Sequence, residues 1–175
     1  AGFSMSGVVG ASRAVVSPSS LSHASADLVT ARDAFDRLVR TRTDSAAKET
    51  RLVVELPIFR SSISFADGPT MDVTAADYCG KLGADICIVT NRQGEWIGQA
   101  GGWPGANRPS EITAVIEPAR QGRPSRDMVS VDGVLYLVVV EPAMFPADEV
   151  LGTFAAAYAL DDIPPRLGWA RREPP

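Results

Sequence analysis

His23 is the only imidazole in the chain, near the start of a helical stretch. A Ser-His-Asp site needs its histidine within hydrogen-bond reach of a serine and a carboxylate, and no spacing here supplies that pair. Metal sites ask for several His, Cys or carboxylate ligands at fixed intervals. Asp127 with Asp132, and Asp161-Asp162, are too sparse for that and read as solvated strand ends. The two cysteines, Cys79 and Cys87, form neither a metal set nor a disulfide framework; they read as buried free thiols, one near a helix end and one in a strand. Gly98, Gly101, Gly102 and Gly105 do not lead into a good helix, so they make no phosphate loop. These residues argue against an enzyme and request no metal, haem or flavin.

The elements around them are more informative. With 175 residues, 45% hydrophobic and 22% charged, the chain suffices for one domain with its own core. A net charge of −4 argues against a nucleic-acid surface, which would be basic. No run of about 18 apolar residues exists, so nothing here reads as a membrane span. The centre is Ala84 to Gly101. Ile86, Cys87, Ile88 and Val89 make a strand that is apolar on both faces and so sits mid-sheet. Asn91 to Gly94 turn, and Trp96 to Ala100 return.

Ahead of this hairpin, residues 1–20 read as a flexible leader. A helix follows from about Ser22 to Thr41, with Leu21, Leu28 and Phe35 interleaved with Ala24, Ala31 and Leu38 in one apolar stripe. Arg42 and Ser45 interrupt the stripe. It resumes with Leu52, Leu56 and Phe59 in a stretch from about Asp44, which either starts a second helix or continues the first; Pro57 and Ser61-Ser62 mark its end. Thr70 or Asp72 caps a short helix from Met71 to Leu82, and Gly83 stops it. After the hairpin come a Gly/Pro loop and a short helix, Glu111 to Glu117, broken by Pro118. Strands follow at Arg126 to Val131, Val134 to Glu141 and Val150 to Leu160, with an Asp132-Gly133 turn between the first two. The last strand is bulky on one face (Phe154, Tyr158, Leu160) and small on the other (Ala155, Ala157, Ala159). Residues 21–165 form the single domain, and 166–175 an exposed tail.

Five antiparallel strands with a helix between the second and third, behind long N-terminal helices, give an α+β, PAS-like arrangement. Several phrases resemble the Cache-type, PAS-like extracytoplasmic sensor domains of bacterial membrane receptors. They are Glu55-Leu56-Pro57-Ile58-Phe59 with Asp67 and Pro69-Thr70, then Gly83 to Gly94, Asp132-Gly133-Val134-Leu135-Tyr136, and Val150 to Phe154 with Tyr158 and Leu160-Asp161-Asp162. The resemblance runs from Ala24 to Asp162. It departs at Asn91, where the family usually has Asp, and the Arg-x-Trp-Tyr pattern of amino-acid-sensing members is missing.

The resemblance implies a periplasmic input domain, anchored in the inner membrane by flanking spans, that binds a small molecule and signals to a kinase, cyclase, phosphatase or chemotaxis output. It also implies where the ligand sits: between one sheet face and the segment joining strands two and three, here Gly101 to Gly122. That segment carries Trp103, Asn107 and Arg108; Tyr136, Tyr158 and Arg126 lie on neighbouring strands. Arginine with aromatic walls suits a small organic acid. A second copy pairing through the N-terminal helix is expected. The alternatives are a non-catalytic dimerisation module whose pocket is filled by Trp103, Phe154 and Tyr158, and a cytosolic PAS-like cofactor binder.

Overall fold

A computed structural model describes residues 18–65, 67–105, 108–146 and 148–160. Residues 1–17 of the expected leader, Ala66, Ala106, Asn107, Ala147 and everything from Asp161 onward lie outside the described residues. The chain divides into two units after Arg37. Of the first, residues 18–37 are described, all helical. They include Pro18, Ser19 and Ser20, the last residues of the expected leader, which are helical. Leu21, Leu28 and Phe35 are exposed along them.

In the second unit the elements follow the expected order: the rest of α1 (Pro18–Glu55), α2 (Pro57–Phe65), α3 (Gly68–Leu82), β1 (Ile86–Asn91), β2 (Trp96–Ala100), α4 (Ser110–Arg120), β3 (Ser125–Val131), β4 (Val134–Phe145) and β5 (Glu149–Ala159). The five strands form one antiparallel sheet in the order β2-β1-β5-β4-β3. The last strand is therefore central, hydrogen-bonded to β1 on one side and β4 on the other.

Period-two alternation sorts the side chains onto two faces. Cys87, Val89, Leu137, Val139, Phe154, Ala156 and Tyr158 point to α1, α2 and α3. Ile86, Ile88, Tyr136, Val138, Val140, Ala155 and Ala157 point to α4 and Trp103. On the first face Phe59, Tyr78 and Phe154 meet edge to face, with centroids 5.4–6.3 Å apart. On the second, the bulk comes from α4 (Ile112, Val115, Ile116) and Trp103, because β5 offers alanine there.

Local differences from the sequence reading have simple causes. The helix runs on through Arg42–Ser45, since polar residues there need only face water. Its buried positions near the sheet are Ala46, Thr50, Val53 and Val54. Leu52 and Leu56, expected to continue the stripe, are exposed. Pro57 opens α2 instead of ending a helix, which fits a residue with no N–H to lose in a first turn. Asp67, not Thr70 or Asp72, caps α3, accepting from the Thr70 amide at 3.0 Å. Its bond to Thr70 holds that carboxyl below the usual range. Gly83 ends α3 in the left-handed region, as expected. β4 extends past Glu141 to Phe145 because β5 continues to pair with it, across a bulge between Ala143 and Met144.

Two close approaches tie the parts together. A Cβ on Gly98 would lie 2.7 Å from the Met71 carbonyl, so only glycine lets α3 lie directly on β2. Where the chain leaves β5, the Asp85 amide donates to the Ala157 carbonyl (2.9 Å), and the Asp85 carboxylate accepts from the Ala159 amide (2.7 Å). The Leu160 amide donates to the Leu135 carbonyl at 2.8 Å.

Candidate functional site

The segment between β2 and β3 lays α4 and Trp103 over the alanine face. Trp103 is buried, and its ring meets Tyr136 edge to face at 5.1 Å. Its Nε1 is buried and has no partner among the described residues. The neighbouring Pro104-Gly105 turn, Arg108, Ser110 and Glu111, with Val131 and Asp132 from the β3–β4 turn, line an open cavity of about 430 Å³. Arg108 places its guanidinium 5.6 Å from the Trp96 ring centre, a cation–π geometry, and makes no ion pair with a described residue. Glu111 and Asp132 share its cavity.

Arg126 and Tyr158 stand on the other face. Val129 and Val131 of β3 point to α4, so Arg126, an odd number of residues away, points to α1, where it bonds Asp44 at 3.0 Å. In the β4–β5 register Tyr136 lies opposite Ala159 and Tyr158 opposite Leu137, which puts the two tyrosines on opposite faces. The Arg42 guanidinium lies 5.8 Å from the Tyr158 ring centre. Burial pushes the Tyr158 phenol up, with smaller contributions from Cys87, Glu49 and Cys79 against the pull of Arg42. The five residues named from the sequence thus form two groups: Trp103, Tyr136 and Arg108 on the α4 side, and Arg126 and Tyr158 on the α1 side.

The remaining reactive groups are accounted for locally. The His23 ring donates to the Ser19 carbonyl one turn away, at 2.6 Å. Cys79 and Cys87 are free and buried; the hydrogen bond with Cys79, then burial, pushes the Cys87 thiol up. Among the described residues no group of three His, Cys, Asp or Glu could hold a metal ion, and no described helix is long and apolar enough to cross a membrane.

A second concave region contains none of the site residues expected from the sequence. It lies on the α1 side where α1 gives way to α2, and it includes Arg51, Glu55, Arg60 and Glu141. Its signal was present in the sequence: a lone carboxylate directly after three valines in the most apolar strand.

The sequence matches no family model and no curated protein. The structure does find counterparts. It superposes on the sensor domain of E. coli DcuS with a TM-score of 0.53 at 15% identity, over 69% of this chain and 93% of that one. On the sensor domain of the V. cholerae histidine kinase DctB the TM-score is 0.56 at 16% identity, over 75% of this chain. The match spans 54%, about half, of the DctB chain. At such identities the likeness shows the fold: helices ahead of a five-stranded PAS-like sheet, the arrangement expected from the sequence.

Proposed function

We propose that this chain is the ligand-sensing input domain of a bacterial transmembrane receptor, lying on the outer side of the inner membrane, with its output module elsewhere in the protein. The observation that carries this reading is the fold shared with two sensor domains, helices ahead of a five-stranded PAS-like sheet.

The ligand of this reading is a small organic acid held by Arg108, with Trp103 and Tyr136 as the walls expected from the sequence, although neither lines the cavity that holds Arg108. Arg108 has no carboxylate partner among the described residues, whereas Arg126 is engaged by Asp44. Glu111 and Asp132 in the same cavity disfavour a second acidic group, so a monocarboxylate fits best. A ligand that binds only the folded state adds about 2.7 kcal/mol at a hundredfold excess over Kd. A thermal-shift screen of monocarboxylates should therefore give a clear hit that Arg108→Ala abolishes and Arg126→Ala leaves intact. No hit, or a hit that survives Arg108→Ala, removes the acid.

One observation favours a second reading. Trp103 already fills the space over the small face, which suits a structural module that signals through protein contacts. Both readings include a homodimer, with the exposed Leu21, Leu28 and Phe35 of α1 covered by a second copy. Sedimentation over a concentration series tests it: a monomer at every concentration removes the dimer for this chain.

A further inference from the structure

The cleft at the α1–α2 junction has an unusual charge balance. It encloses about 610 Å³ between the end of α1, the start of α2 and the bulged end of β4. Two arginines and two glutamates line it. Arg51 bonds Glu55 at 3.0 Å. Arg60 uses Nε and Nη2 on the carbonyls of Val54 and Glu55, closing the end of α1. The nearby Arg126 is held by Asp44. Glu141 is left over: it is 6% exposed, lines the cleft, and no described residue gives its carboxylate a hydrogen bond or ion pair. Buried carboxylates are ordinarily paired. A carboxylate kept unpaired at the wall of a cleft favours a positive guest. Val54, Pro142, Met144 and Phe145 give that guest an apolar lining.

We propose that this cleft is a binding site for a small organic ammonium ion, its N–H groups donating to the Glu141 carboxylate and its hydrocarbon part lying against Met144 and Phe145. The site is on the opposite sheet face from Arg108 and independent of the acid reading. A guest there would rest against the end of α1 and the Arg60 contacts that hold it to α2. Burial raises the Glu141 carboxyl, against the pull of Arg51 and Arg126 and with a small push from Glu55, the behaviour of a group whose countercharge is incomplete.

The test is an NMR titration of the full 175-residue chain at neutral pH with n-butylammonium chloride, against methylammonium, sodium and magnesium chlorides at matched ionic strength. Butylammonium should saturate, move the amides of Val54, Glu141 and residues 143–145, and bind more tightly than methylammonium. Glu141→Gln should weaken it about tenfold or more, the loss expected for a hydrogen bond to a charged group. Phe145→Ala, at an exposed wall residue, should weaken butylammonium more than methylammonium, and it serves as the deciding variant if Glu141→Gln does not fold. The site is overturned by failure to saturate, by saturation unchanged in Glu141→Gln, by equal affinity for the two amines, or by magnesium moving the same amides as strongly. A carboxylate bound at Arg108 would instead move amides at Gly105 and Arg108, so the two sites succeed or fail separately.

Discussion

The two faces of the sheet solve the same packing problem in opposite ways. Toward α1, α2 and α3 the central strand offers Phe154 and Tyr158, and Phe154 locks edge to face with Phe59 and Tyr78. Toward α4 it offers Ala155 and Ala157, and the space is filled from outside by one helix and a tryptophan on a loop. The first face is built from regular elements over its whole width. The second depends on a segment that could move without unpairing a strand.

The largest test of that contrast is Phe154→Ala. It removes a fully buried ring from the filled face, and chemical denaturation should show a loss of about 3–5 kcal/mol. A loss below that of an ordinary surface change would mean the aromatic cluster is not the anchor. Next is Ala157→Leu, which overfills the small face beneath α4 and should cost about 1–3 kcal/mol. If α4 and Trp103 can lift, the cost falls at the low end and Trp fluorescence shifts to the red; unchanged stability and emission would place the residue in open space. A smaller effect, with a pH signature, is expected from Glu141→Gln. Because the folded-state carboxyl is raised, its ionisation penalises folding above the folded pKa and costs nothing below the unfolded one. The variant should thus be more stable than the parent at neutral pH, with the gain fading as pH falls into the ordinary carboxylate range; a gain equally large at acid pH would contradict this. Smallest is Arg126→Ala, whose exposed pair with Asp44 should contribute about 0.2–1 kcal/mol, measurable in a double-mutant cycle and weakened by salt.

The contrast also explains what could be read from the sequence. Strand positions were legible because Ile86 to Val89 and Val134 to Val140 are apolar on both faces, and the turns because Asn91 to Gly94 and Asp132-Gly133 permit little else. The small face of β5 was legible from its alternate alanines. The division of the candidate site was not. Whether Arg126 shares a face with Trp103 or with Asp44 depends on the parity of its distance from Val129 and Val131. Whether Tyr136 and Tyr158 converge depends on a β4–β5 register that no local pattern states. The end of α1 was hard for another reason: in a helix with long polar stretches, the buried stripe Ala46, Thr50, Val53 and Val54 is set by where the sheet lies, and Leu52 and Leu56 were the more conspicuous residues.

The carboxylate of Asp85 gives the exit from the central strand a mechanical character. An aspartate ahead of β1 occupies the place of a neighbouring strand's carbonyl, so the Ala159 amide is tied to a side chain while Leu160 is tied to β4. Backbone ladders open cooperatively, but a bond to a side chain can release by a single rotation. The exit can thus unlatch one residue at a time while the register of β5 is kept. In hydrogen exchange, Ala159 should behave as a local hinge pin, exchanging through a small opening, while Ala155 and Ala156 exchange only when the sheet itself comes apart.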